Sequence, residues 1–333
     1  MKTYHILFII VLFFVSCDNW TIPEAVDLQK PFVKSDEYYA NLRAYKASDH
    51  QVYFGWFGNW DPTIAGRRLS TVPDSVDIIT LWGDYKVMTP EKRADVEYVQ
   101  KVFGTKVVYT VLLINLPEKY QSMEEEAGIK AYAQDEVARI YNDGLDGIDI
   151  DWEIGITGYP FYFEVGNRME IFTREVAKSL GPKSSDPSKM LILDCLVTRI
   201  PAGMHELFDY AVTQNYQISS WSSLQNSFQS SNNFGYPPEK CIFTDTFERG
   251  WTTGGNTFTQ RDNSRVPAVL GMAAFQPRIG SVSYRKGGAG TYHMEYDYGN
   301  TPDYSYTRQM IQIMNPAGGK ILPKGEIEGG SIY

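Results

Sequence analysis

Asp143-Gly144-Leu145-Asp146-Gly147-Ile148-Asp149-Ile150-Asp151-Trp152-Glu153 is the stretch on which the reading of this chain turns. Ile148, Ile150 and Trp152 alternate with Asp149, Asp151 and Glu153, the period-2 pattern of a β-strand with one apolar and one acidic face. Like charges stacked on one side of a short strand repel, and a buried carboxylate without a partner costs free energy or shifts its pKa. Stability gains nothing from this, but catalysis does: crowded carboxyls push each other's pKa values apart, so that one holds a proton near neutral pH. Glu153, last in the run and longest in reach, is the candidate proton donor. A calcium loop would set its ligands in an irregular turn around a glycine, whereas here they are interleaved with Ile, Ile and Trp.

The flanking sequence supplies the fold. Before the acidic strand, Ile129, Tyr132, Ala133, Val137, Ile140 and Tyr141 fall at helical spacing within Glu124–Asn142, and Asp143-Gly144 stops the helix. Eight candidate strands recur along the chain, Val52–Trp56, Ser75–Trp82, Lys106–Ile114, Gly147–Glu153, Met190–Val197, Tyr210–Tyr216, Cys241–Phe247 and Gly290–Tyr296. Helical patterns separate them at Pro90–Phe103, Glu124–Asn142, Tyr162–Leu180 and Val266–Phe275, with a closing helix at Tyr304–Met314. This alternation predicts a single α/β domain, a (β/α)8 TIM barrel over 49–316. An open doubly wound sheet would carry a Gly-rich turn after the first strand, and none is present. The stretches Ser219–Pro238 and Arg249–Arg265, rich in Ser, Asn, Gln, Thr and Gly, are expected to be irregular loops at the mouth.

The 333 residues, 43% hydrophobic and 14% aromatic, fit one large barrel or two small domains. A net charge of −9 argues against nucleic acid as a partner. The chain opens with Met1-Lys2 and an apolar run from Ile6 to Val15, too short for a membrane span of about 20 residues and shaped like a secretory signal. Phe14-Val15-Ser16-Cys17 resembles a bacterial lipobox, which makes Cys17 the expected lipidation site. Residues 1–17 are therefore read as a lipoprotein signal, 18–48 as a tether and lead-in with a helix around Tyr38–Tyr45, and 317–333 as a tail. A monomer is expected, anchored to the cell envelope at the outer membrane or cell surface. Cys195 and Cys241 read as small buried residues within strands. With four His in all and no Cys-x-x-Cys, neither a metal nor a cofactor is expected.

Barrels converge the C-terminal ends of their strands on one mouth. That rule nominates Trp56 and Asn59, Trp82 and Asp84, Asn115, Glu153, Gln214 and Tyr216, and Tyr292 to Tyr296. Gln214 and Tyr216, two apart on the sixth strand, place an amide beside a phenol, a pair suited to an oxygen-rich ligand.

Asp146, Gly147, Asp149, Asp151 and Glu153 fill every fixed position of D-G-x-D-x-D-x-E, and this stretch resembles the signature of glycoside hydrolase family 18. The resemblance implies that Glu153 protonates the glycosidic oxygen and that the substrate's own 2-acetamido group is the nucleophile, an exception to the two-carboxylate scheme. It further implies that Asp151 orients the acetamide, that Asp149 tunes Asp151, that Tyr216 bonds the acetamide oxygen and that Asp146 and Gly147 are structural. The third strand lacks Ser-x-Gly-Gly and the sixth lacks the Met-x-Tyr-Asp of many chitinases. Gln214-Asn215-Tyr216 instead resembles the Gln-x-Tyr of endo-β-N-acetylglucosaminidases, which cut the GlcNAcβ1-4GlcNAc core of N-linked glycans. No insertion of the size of a chitinase α+β subdomain is present, nor is the strand-eight Trp common in the family; Tyr292, His293 and Tyr296 are its candidate replacements. Substrate contacts are expected from Asp149 and, among the mouth residues, from Gln214, Trp56, Trp82, Asn115 and Tyr292. A chitinase of the same family and a glycan-binding lipoprotein without activity remain the alternatives.

Overall fold

The computed structural model describes residues 34–83, 85, 87–153, 155, 161–318 and 324–327. Eight parallel strands close into a barrel: β1 (Val52–Phe57), β2 (Ile78–Leu81), β3 (Lys106–Leu112), β4 (Gly147–Trp152), β5 (Met190–Cys195), β6 (Tyr210–Gln214), β7 (Cys241–Thr246) and β8 (Gly288–Tyr292). Each strand pairs with the next, and β8 returns to β1 with Val52 opposite Gly288 and Gly55 opposite Thr291. The predicted (β/α)8 TIM barrel is the fold observed.

The period-2 pattern sorts side chains across the barrel wall. Val52, Phe54, Ile78, Val108, Ile192, Val212 and Ile242 form one apolar cluster inside the barrel, topped by Trp56. Their neighbours along the strands, among them Tyr53, Ile79, Val107, Ile148, Ile150, Leu191 and Phe243, belong to a second, larger cluster beneath the helices. In β8 a Cβ at Gly288 would lie 2.0 Å from the Val52 carbonyl oxygen, and one at Gly290 would lie 1.6 Å from that of Phe54. No side chain fits there, so β8 contributes nothing to the interior below Tyr292.

The helix before β4 spans Glu125–Asp143; the Glu124 side chain accepts from the Ala127 amide, and Gly144 ends the helix at φ 71°, where glycine meets no Cβ penalty. The predicted helix Pro90–Phe103 is observed as an α-helix over Pro90–Tyr98 continued by a π-helical turn over Val99–Phe103. Other predicted helices shorten to Arg168–Val176, Ala268–Ala274 and Ser305–Met314, and a first helix runs over Asp36–Lys46. The expected loop Ser219–Pro238 is largely a helix, Trp221–Phe234. Ser220 caps it by accepting from the Ser223 amide, and it buries Leu224, Phe228 and Ser231. Two large apolar anchors at i and i+4 suffice once a barrel wall lies beneath them, although the rest of the face is Ser, Asn and Gln. Within Arg249–Arg265 a short hairpin forms, with Thr257–Thr259 paired to Arg265–Pro267. The tail departs from expectation too, because Glu326–Ile327 pairs with Val282–Tyr284 in a small sheet. Cys17 and the rest of residues 1–17, read from the sequence as a lipoprotein signal, lie outside the described residues.

Lys286, just before β8, is fully buried. Its ammonium donates to Gln51 Oε1 at 2.8 Å and to the Ala273 carbonyl at 2.7 Å, both neutral acceptors, and burial pushes its pKa down to about 7. Between that value and its ordinary 10.5 the unfolded chain holds one more proton than the folded one, so this residue makes stability fall as pH falls. The expected outcome for Lys286→Met is a flatter stability curve over that window. The difference in slope from the parent should approach about 1.4 kcal/mol per pH unit, read from urea unfolding; parallel curves would refute it.

Candidate active site

β4 carries its acids on the inward face. Asp149 and Asp151 are 0% and 1% exposed, and strand register sets Asp151 directly beside a third buried acid, Asp194 of β5. Polar side chains of neighbouring strands converge on this row. Asp149 Oδ2 accepts from Trp56 Nε1 at 3.0 Å, Thr110 Oγ1 at 3.1 Å and Thr80 Oγ1 at 3.4 Å. Gln214 Nε2 donates to Asp194 Oδ1 at 2.9 Å.

Donors run out before acceptors do. Asp149 Oδ1, Asp194 Oδ2 and both oxygens of Asp151 are buried and receive no N–H or hydroxyl. Asp194 lies within bonding reach of both Asp149 and Asp151, a contact that requires a proton on one partner. Burial first, then the charge of Glu153, raises Asp151 above the usual carboxylate range, and burial, then the charges of Asp151 and Asp149, does the same to Asp194. Burial raises Asp149 as well, against the pull of its donors. One proton shared from Asp194 serves one oxygen, so at least one oxygen of Asp151 is left without a donor.

Glu153 follows the last residue of β4 and is half-buried at the mouth. A carboxylate oxygen of Glu153, one of Asp151 and the Cys195 sulfur lie within 4.8 Å of one another. Cys195 departs from its expected place in a strand interior: it is the last residue of β5, half-buried, with φ 76°. Burial, then the charges of Asp151 and Glu153, push its thiol up to about 12. Cys241 is buried as expected.

Above the acids stands a cluster of rings centred on Tyr292. It stacks on Tyr216 with centroids 5.9 Å apart and meets Trp82 and Trp56 edge-on at 5.3 and 6.1 Å. Burial, then the charges of Asp194 and Asp151, keep the Tyr216 phenol protonated. Of the three candidates to replace a strand-eight Trp, Tyr292 occupies the centre. His293 is instead held by Glu295 at 2.7 Å and stacked on Tyr296. Beside Trp82 and His293 opens a cleft of about 540 Å³, walled also by Trp60, Tyr85 and Asn59.

Several expectations change here. Trp56 does not face the mouth as a sugar platform; it is 1% exposed and donates to Asp149. Gln214 points to Asp194, so its first role is to hold an acid. Asn115 is exposed at the mouth, and Asp84 lies outside the described residues. Asp194, Thr80 and Thr110 were missed by sequence reasoning. The signal for Asp194 was a lone acid in the apolar run of β5, two positions after the inward-facing Ile192.

A (β/α)8 barrel that gathers carboxyls at the C-terminal end of one strand, below an aromatic mouth, has the architecture of a glycoside hydrolase. The family model described as glycoside hydrolase family 18, BT1044-like, matches residues 21–313, and the chain belongs to that family. It is similar to endo-beta-N-acetylglucosaminidase F2 of Elizabethkingia meningoseptica, 26% identical over 95% of this chain and 100% of the relative. Among solved structures it resembles a selenomethionine variant of BT1044, 29% identical with a TM-score of 0.73, covering 84% of this chain and 93% of that one. It shares its fold with an endo-beta-N-acetylglucosaminidase from Cordyceps militaris, 24% identical with a TM-score of 0.64, covering 85% and 97% of the two chains.

The crowding of acids has a cost that can be measured. Because Asp194 keeps its proton in the folded protein above the ordinary value of 3.8, this group makes stability fall as pH rises past that value. Asp194→Asn substitutes a neutral amide of the same shape. The variant is expected to match the parent near pH 4 and to become more stable by up to about 1.4 kcal/mol per pH unit as pH rises. Urea midpoints at acid and neutral pH would show this, and a variant less stable at neutral pH would refute the assignment.

Proposed function

We propose that the chain is an endo-β-N-acetylglucosaminidase that hydrolyses the GlcNAcβ1-4GlcNAc core of N-linked glycans with retention of configuration. The observation that carries this reading is the buried oxygen of Asp151 that no protein donor reaches, next to Glu153 at an aromatic mouth. A buried acceptor without a donor costs about 1–3 kcal/mol, and a substrate N–H relieves that cost as it binds. The 2-acetamido group carries such an N–H.

Accepting that bond, Asp151 turns the acetamide carbonyl toward the anomeric carbon and stabilises the positive charge that develops as the oxazolinium ring closes. Tyr216, kept protonated, donates to the acetamide oxygen. Glu153 gives its proton to the departing glycosidic oxygen and then takes one from the water that opens the ring, so the configuration is retained. Asp149 and Asp194, tied to Trp56, Thr80, Thr110 and Gln214, hold Asp151 in place. The core sugar would rest on Tyr292, while the cleft beside Trp82 offers aromatic faces to further sugars. The relatives named as endo-β-N-acetylglucosaminidases, together with Gln214-Asn215-Tyr216, favour N-glycans over chitin.

The N-terminal pattern adds a location: we propose that Cys17 carries a lipid and that a monomer is tethered by it to the cell envelope, facing glycoproteins outside. The decisive test incubates residues 18–333 with a high-mannose and a complex N-glycoprotein and reads the products by mass spectrometry. The expected products are free glycans ending in one reducing GlcNAc, with the other left on Asn. Glu153→Gln should lower turnover by orders of magnitude while keeping glycan binding, and Asp151→Asn should also cripple it. Release of glycan at the parental rate by either variant would overturn that residue's role, and no release by the parent would overturn the activity.

A further inference from the structure

The acid row ends in a group that the proposed reaction does not use, the thiol of Cys195. It is free, stands at the end of β5, and its sulfur shares a 4.8 Å neighbourhood with oxygens of Asp151 and Glu153. We propose that Asp151, Glu153 and Cys195 form an inhibitory binding site for a soft or borderline divalent cation such as Zn2+.

Two independent observations point to such a ligand. One is the donor set itself, two carboxylates and a thiol from two adjacent strands, gathered closely enough for one ion. The other is the state of Asp151, which is 1% exposed, has at least one oxygen that no donor reaches, and faces the other two donors. A dication bound there neutralises the two carboxyl groups and the thiolate that forms as it binds, and it fills the empty acceptor of Asp151.

The chemistry also selects the ion. Thiolate–metal bonds of about 2.3 Å and carboxylate–metal bonds of about 2.0–2.2 Å are the mixed sulfur–oxygen set that Zn2+ accepts, and water fills the fourth position. Calcium and magnesium prefer oxygen throughout, at higher coordination number. Closing the site draws the donors together, with Glu153 lying just beyond the end of β4. Binding releases the thiol proton to solvent, forms a metal–sulfur bond, and occupies the groups that would hold the acetamide and protonate the leaving oxygen. Inhibition, though not binding, rests on the proposed catalytic roles of Asp151 and Glu153.

Calorimetric titration of residues 18–333 with Zn2+ should show one ion per chain. Cys195→Ser is expected to weaken that binding at least tenfold, whereas Cys241→Ser, at the start of β7, should leave it within twofold. Titration with Co2+ should produce a thiolate-to-metal charge-transfer band that is absent in Cys195→Ser. Equal Zn2+ affinity in parent and Cys195→Ser, or Co2+ binding without that band, would overturn the site whether or not the protein releases glycans. Where the protein turns over glycoprotein, each variant's rate with Zn2+ is compared with its own rate in chelator. The parent should lose activity reversibly and Cys195→Ser should resist. Zn2+ that binds with full parental activity retained would overturn the inhibitory role.

Discussion

Three carboxyls buried side by side at the top of β4 and β5 are the constraint to which the rest of the barrel answers. Asp149, Asp151 and Asp194 have almost no access to water, and the repulsion among them can be met only by shared protons and by donors brought from elsewhere. The donors come from strands far apart in sequence: Trp56 from β1, Thr80 from β2, Thr110 from β3 and Gln214 from β6. A closed parallel barrel brings these strands around one centre, while Val52, Phe54, Val108 and Ile192 close the space below.

The supply of donors is uneven, and the proposed function rests on that unevenness. Asp149 is saturated on one oxygen, Asp194 is held by Gln214, and Asp151, between them and nearest Glu153, lacks a donor for at least one oxygen. A site built for stability would have satisfied that atom. Proteins retain such local costs where a ligand relieves them. The rings around Tyr292 cover the same spot with apolar surface, which strengthens each polar contact made beneath them.

Much of this was legible in the chain because short-range rules decided it. The alternation of Ile148, Ile150 and Trp152 with acids fixed β4, and the helical spacing from Ile129 to Tyr141 with Gly144 as its stop fixed the helix before it. Reading failed where tertiary contact overrides local pattern. Trp221–Phe234 is a helix because the barrel wall receives Leu224 and Phe228, though its Ser, Asn and Gln read as loop. Trp56 looked like a mouth aromatic, yet its indole N–H is drawn inward by Asp149, a partner 93 positions away. Asp194 was a single acid in an apolar strand, without meaning until the register set it beside Asp151.

The sequence by itself determined the strand–helix alternation, the acidic face of β4 and the placement of Glu153 at that strand's end, since each follows from side-chain periodicity and chain stops within one element. Only the tertiary structure decided which acid is satisfied and which is left open, which ring occupies the floor of the mouth, and that a thiol stands beside the acids. Those depend on inter-strand register and on donors separated by scores of residues, and the energy of a buried charge is set by what surrounds it in space rather than by what precedes it along the chain.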